Sequence, residues 1–423
     1  MLAPDRAARY SWRSVDTHPS PAAPRTVPSP RETSFPIGAG VRLDELELDP
    51  HPVLARLRER EPVSWVPALN GWLVTRRDLA LRAMRESATF TVDDPRFSTG
   101  QVVGPSMLTL DGAEHDRHRG PFARDFRRGS VRERFTALVE AETERLLDEL
   151  EPRGSAELRR GLAGPLAART VAVALGLDGT DTERMLNLYD SIVEAVTGVA
   201  AGEPVTPAGR RAFAELRSAV EPMLDQDPAR SLVAAAAGRA GGLARAEVVS
   251  NAAVLMFGGI ETTEGMITNA ILHLLAHPDG RALVERDRSL LPNAIEESLR
   301  LEPAAAVVDR YATRDVRLGY GSIGRGELVT VSIAGANRDP AFFPDPDRFD
   351  VRRENARRHV AFAHGPHVCL GMHLARLEAG TAVGRLLDRL PGLRLDRDRP
   401  TAPRGLVFRK PPTLHVLWGD SRA

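Results

Sequence analysis

Beyond residue 34, apolar residues return at helical intervals along most of the chain and strand signals are few. This confines the chain to a mainly helical fold. Residues 132–150 carry Phe135, Leu138, Val139, Leu146, Leu147 and Leu150 close to a 3.6-residue period. The same pattern predicts helices over 52–60, 165–177, 181–199, 207–224, 290–301 and 371–390, with the longest over 244–275. Strands are predicted at 63–66 and 71–75, a hairpin across 67–70, and at 327–333 and 414–417. The expectation is a mainly α fold with a small β portion, in one large domain over 35–423. Residues 1–34 are rich in Pro, Arg, Ser and Ala without periodicity and are expected to form a disordered tail.

Composition removes several function classes. Hydrophobic residues make up 42% of the 423, enough for a large core, and the net charge is +0. Nothing global therefore points to nucleic acid or to an anionic membrane surface. Of 57 basic residues only Lys410 is a lysine. The N-terminus carries Asp5, Arg6 and Arg9 and lacks the apolar stretch of a signal peptide. The longest apolar run, 252–257, is too short to span a bilayer, so a soluble, cytoplasmic protein is expected.

Cys369 is the only cysteine, so it can form neither an internal disulfide nor a multi-thiolate cluster. It lies in Phe362-Ala363-His364-Gly365-Pro366-His367-Val368-Cys369-Leu370-Gly371, just before a predicted helix. The glycines let the backbone bend and approach a flat ligand, and a helix N-terminus favours an anionic sulfur. Three readings stand for this stretch. It could hold a buried structural cysteine, a zinc site at His364, His367, Cys369 and His373, or haem on one axial thiolate.

Three other constellations could carry chemistry. The longest helix contains Phe257-Gly258-Gly259-Ile260-Glu261-Thr262-Thr263. Two interior glycines cost about 1 kcal/mol each and imply either close helix packing or close approach by something flat. The acid and hydroxyls beside them can pass protons into an apolar site. Glu297 and Arg300 share a helix face at i, i+3, as many surface pairs do, with Arg348 as a third member of a network. His115 and Arg119, four apart, read either as a basic helix start or as a clamp for a carboxylate or phosphate, and Arg310, after the apolar run 304–308, is another cation near potential pocket residues.

Together and in this order, these motifs resemble the cytochrome P450 superfamily, the haem-thiolate monooxygenases, most closely its soluble bacterial members. Phe362, Gly365, Cys369 and Gly371 match its Phe-x-x-Gly-x-x-x-Cys-x-Gly pattern. Gly258, Gly259, Glu261, Thr262 and Thr263 match its long-helix pattern, and Glu297 and Arg300 its Glu-x-x-Arg. Ala363 stands where glycine is frequent, and Glu261 where aspartate is commoner.

The resemblance implies haem b with Cys369 as axial thiolate and Phe362 packed beside the sulfur. It implies that His115, Arg119, Arg310 and His367 hold the haem carboxylates. Gly258 and Gly259 open the oxygen groove, Thr262 and Glu261 deliver protons, and Glu297, Arg300 and Arg348 lock the fold on the thiolate side. Zinc becomes the runner-up.

A distal pocket is implied at Val102, Val103, Met107, Val254, Phe257, Ala306, Val308 and Val407. This apolar lining suits a lipophilic natural product. Hydroxylation with O2 is the default outcome, with epoxidation, C–C or ring coupling as alternatives at the same iron. A haem sensor without turnover would not need Thr262. The sequence shows no flavin or nicotinamide module, so a ferredoxin and its reductase are the implied electron donors, to a monomer. Arg117, Arg124, Arg127, Arg128, Arg352, Arg353, Arg357 and Arg358 are expected to steer that carrier, or else to be a solvated surface.

Overall fold

The helix Arg245–Ala276 is apolar on nearly every side, so it must be buried all round. In a computed structural model of the chain, which describes residues 29–177, 179–200, 202–227, 231–239 and 243–419, it is the central element. Its first half, Val248 to Ile260, packs with the helices Ser98–Val103, Thr182–Ala200 and Pro207–Val220 in one apolar cluster. Its second half, Met266 to Leu274, belongs to another cluster, built on Arg128–Leu150, Leu291–Leu301 and Met372–Arg389. The polar stretch from Glu261 to Gly265 falls at the junction of the two cores.

The predicted helices all form, with ends within a few residues of expectation. The segment 207–224 splits into the helix Pro207–Val220 and a 3-10 turn, Glu221–Asp225. The predicted hairpin forms from Val63–Val66 and Gly71–Val74, closed by a 3-10 turn and by Asn70 at φ 47°. It continues into a five-stranded sheet through parallel pairing with Leu328–Ser332, which pairs antiparallel with Val307–Ala312 and so reaches Phe90–Thr91. A three-stranded sheet joins Ser155–Glu157, His415–Leu417 and Arg394–Leu395. The arrangement matches the expected mainly helical class with a small β portion.

Of the expected tail, residues 1–28 lie outside the described residues. Residues 29–34 lie inside and are ordered, a correction to the expected boundary. Ser29 and Glu32 form a reciprocal cap on the short helix Pro30–Ser34. Arg31 sits over the rings of Trp65 and Trp72, at 4.8 and 5.7 Å, and pairs with Glu327.

Candidate active site

The Cys369 stretch is shaped by its glycines. Gly365 sits at φ 78°, and a Cβ there would lie 2.7 Å from the Met84 carbonyl oxygen and 2.9 Å from Arg85 Cα. These are backbone atoms that cannot swing aside, so the loop is pressed against the end of the helix Arg77–Arg85. Ala363, where glycine is frequent in the resembling family, adopts φ 58°. We expect Ala363→Gly to stabilise the chain by about 1 kcal/mol and Gly365→Ala to destabilise it by about 2 kcal/mol or more. Parallel urea unfolding curves would show both, and equal effects of one sign would refute the assignment.

The Cys369 N–H donates to the Phe362 carbonyl at 2.8 Å, and Arg119 Nη2 donates to the Val368 carbonyl at 2.6 Å. The helix Met372–Arg389 starts immediately beyond. Burial pushes the Cys369 thiol up, opposed by the N–H groups of Gly371 and Met372 and the charges of Arg119 and Arg376. The sulfur therefore faces a helix N-terminus, as expected. A Cβ on Gly371 would meet nothing within 4 Å, so the space beside this glycine is open. Phe362 lies under the Arg376 guanidinium at 4.5 Å, and Arg376 is held by two hydrogen bonds to Glu296, at 2.6 and 2.9 Å.

Four residues expected to hold carboxylates lie around one aspartate or close to Cys369. The His115 and His367 rings are 4.5 Å apart. His367 Nε2 is 2.8 Å from Asp111 Oδ1, and Asp111 also accepts from Thr91 and the Val92 N–H. Burial pushes the Asp111 carboxyl up, but His367, Thr91 and Val92 outweigh it and hold it at about 2. Arg310, almost fully buried, also feels Asp111. Sequence reasoning missed Asp111. Its only local signal is an acid before Gly112 at the start of the helix Gly112–Ala123.

His115 Nε2 and Arg310 Nε are buried without a hydrogen-bond partner among the described residues. Orphaned buried polar atoms are rare, and these two, one on a ring packed against His367 and one on a guanidinium near Asp111, fit the carboxylates of a haem. The fit is weaker for His367, which Asp111 already engages, and for Arg119, which supports Val368. No group of three or more His, Cys, Asp or Glu side chains among the described residues could hold a metal ion, so the zinc reading is overturned.

The two helix glycines have different tasks. A Cβ on Gly258 would meet nothing within 4 Å, consistent with an open groove. A Cβ on Gly259 would lie 2.6 Å from Val171 Cγ2. Gly259 is thus a packing glycine against the helix Gly164–Leu175, a correction to its expected role in the groove. Thr262 Oγ1 donates to the Gly258 carbonyl at 2.6 Å, while the Glu261 carboxylate points instead to Lys410 Nζ at 2.8 Å.

Glu297 and Arg300 are fully buried, unlike an ordinary surface pair, and meet through two hydrogen bonds at 2.7 and 2.9 Å. The third member is Arg353, whose Nε donates to Glu297 at 2.9 Å. Arg348, expected in that place, contributes only its backbone carbonyl, and its side chain is exposed. This also removes Arg353 from the expected steering surface. Arg117 leaves it too, because it pairs with Glu114 and Glu247. Arg124, Arg127, Arg128, Arg352, Arg357 and Arg358 remain exposed.

Of the expected pocket residues, Val102, Val103, Met107, Val254 and Phe257 share one apolar cluster. Phe408, in the turn 405–408 expected to line the pocket, meets Phe257 edge-on with centroids 5.4 Å apart. Val407 accepts the Ala306 N–H at 2.8 Å. Ala306 packs with Val53 and Leu57, and Val308 against the core of the five-stranded sheet, so both belong to other clusters.

The family model described as Cytochrome P450 matches residues 215–417. The 20-oxo-5-O-mycaminosyltylactone 23-monooxygenase of Streptomyces fradiae is 36% identical over 361 residues, 81% of this chain and 83% of that protein. The mycinamicin IV hydroxylase/epoxidase of Micromonospora griseorubida is 32% identical over 86% of this chain and 94% of its own. The crystal structure of CalO2 superposes with a TM-score of 0.79 at 28% identity, covering 89% of this chain and 99% of that one.

Proposed function

The chain belongs to the cytochrome P450 family, and from that membership we propose the residue roles and substrate class that follow. It is a P450 monooxygenase, with haem held by a cysteine thiolate. The bound haem supplies oxygen activation and insertion of one oxygen atom.

Cys369, the sole thiol, is the ligand, set by the loop between Phe362 and Gly371. His115 turns its unpartnered Nε2 and Arg310 its unpartnered Nε–H to the haem carboxylates, with Arg119 and His367 completing that side. Glu261 and Thr262 move protons toward the Gly258 groove, and the Val102 to Phe257 cluster excludes water from it. The observation that carries this reading is the pair of orphaned buried nitrogens, His115 Nε2 and Arg310 Nε, grouped with Asp111 and with His367, two residues along from the chain's one thiol.

The substrate is a lipophilic natural product, hydroxylated or epoxidised. The apolar cluster supports this, and so do two relatives whose names describe oxidations of elaborate natural products. Electrons come from a separate ferredoxin and reductase. No helix among the described residues is long and apolar enough to cross a membrane.

The test is a spectral titration of the haem-loaded protein with polyketide, terpenoid, macrolactam and aromatic precursors, the relatives' named substrates included. Binders would then be run with a ferredoxin–reductase pair. The expected result is a shifted haem band and a product heavier by one oxygen atom. A panel in which no lipophilic compound binds or gains oxygen would overturn the substrate class.

Glu261→Gln is expected to keep the thiolate-type CO spectrum while product formation falls by about 10²-fold or more and peroxide release rises. Unchanged coupling of electrons to product would remove Glu261 from proton delivery.

A further inference from the structure

The chain's one lysine is enclosed in the long helix's polar junction. Lys410 lies on a segment pinned by its backbone. Arg409 N–H donates to Ala304 O at 2.9 Å, and residues 404 and 410 bridge each other. The Lys410 ammonium reaches Glu261 Oε1 at 2.8 Å and also contacts Glu264, one helical turn on, and Tyr189 Oη at 3.5 Å.

The two carboxylates are not equivalent. Glu264 has no exposed side-chain surface and lies 3.1 Å from Arg159 and 3.9 Å from Arg160 as well. Arg160 is shared with Asp190 at 3.0 Å. Burial pushes the Glu264 carboxyl up, but Lys410, Arg159 and Arg160 outweigh it and hold it below the usual range. A Cβ on Gly164 would come within 2.8 Å of Glu264 Oε1, so the absence of a side chain there makes room for the carboxylate. Among the described residues, Glu261 forms its ion pair with Lys410.

We propose that Lys410 is a positioning residue for proton delivery: Glu264 anchors its ammonium, so that Glu261 can leave it and turn toward Thr262. This deepens the proton role proposed above for Glu261 and rests on it. Breaking a buried ion pair is costly because it strands a charge. Here the departure does not strand the lysine, since Lys410 stays paired with Glu264. Departure is easiest when Glu261 has taken a proton from the solvent side, because it is then neutral and no longer drawn to the ammonium. It passes that proton to Thr262 Oγ1 as the hydroxyl gives its own proton onward. The regenerated carboxylate returns to Lys410.

Having one lysine makes the test direct. Lysine labelled with 15N at Nζ gives a single ammonium resonance, read in the diamagnetic CO-bound ferrous protein. The resonance should be visible in the wild type, persist in Glu261→Gln, and move in Glu264→Gln, where Glu261 is left as the ammonium's carboxylate partner. Absence in the wild type, loss in Glu261→Gln or an unmoved resonance in Glu264→Gln would each overturn the anchor.

In turnover, Glu264→Gln leaves Lys410 gripping Glu261 alone, so coupling of electrons to product should drop by about 10²-fold. The double variant Lys410→Met/Glu264→Gln should recover most of that loss. A double variant no better than Glu264→Gln would show only lost packing and overturn the proposal. If Glu264→Gln does not retain haem, Glu264→Asp is read by the same measurements. Failure of the underlying function is distinct, because it shows as full coupling in Glu261→Gln whatever the resonance does.

Discussion

Cys369→Ser is expected to erase the thiolate-type spectrum of the reduced, CO-bound protein and to bring oxygenase turnover to background, while the chain still folds. The substitution exchanges one small atom for another of similar size. The surrounding turn does not depend on the sulfur. It is held by the Cys369 N–H to Phe362, by Arg119 on the Val368 carbonyl, and by the left-handed Gly365 against Met84. What the substitution removes is the ligand that gives electron density to the iron, for which no second thiol exists in the chain. Far-UV circular dichroism should match the wild type, and the absorption spectrum should not. A serine variant with the wild-type CO spectrum and product yield would show that the iron is held elsewhere.

How far the sequence could be read depended on distance along the chain. The helices were legible because their period is local. The hairpin at 63–75 was legible because its turn lies between its strands. The strands Ser155–Glu157 and Arg394–Leu395 were not, since each is short and exists only by pairing with His415–Leu417. Similarly, Cys369 and the Gly-Gly-x-Glu-Thr-Thr run are contiguous motifs and could be found by eye. Asp111 could not, because the residue that gives it meaning, His367, is 256 positions away. Lys410 was noted only as the single lysine. Its two carboxylate partners lie on another element, and composition does not reveal such a contact. The Gly258-Gly259 pair is instructive, because packing and groove were weighed as rival readings, and the structure gives packing to Gly259 while leaving the space beside Gly258 open.

Arg348 and Arg353 show the same limit and give the second large effect. Arg353→Ala is expected to destabilise the protein by about 3–5 kcal/mol, and Arg348→Ala by no more than about 0.5 kcal/mol. Glu297 is a fully buried carboxylate that accepts from Arg300, Arg353 and the Asp350 N–H. Removing Arg353 leaves part of that charge uncompensated.

It also frees the carbonyls of Pro344, Asp345 and Arg348, which Arg353 holds at 2.6, 3.0 and 3.1 Å. Arg300 binds the same segment from the other side, at Pro346 and Arg348, so two planar guanidinium groups clamp one irregular loop. Asp345 in that loop sits at φ 47°, a conformation that persists only where its surroundings enforce it. Arg353→Lys should therefore rescue little, because an ammonium cannot serve a carboxylate and three carbonyls in one plane.

Urea midpoints of the haem-loaded variants, measured side by side, would decide the point. Equal losses at Arg348 and Arg353, or a stable Arg353→Lys, would mean that the loop is held by its own packing and not by the Glu297 charge.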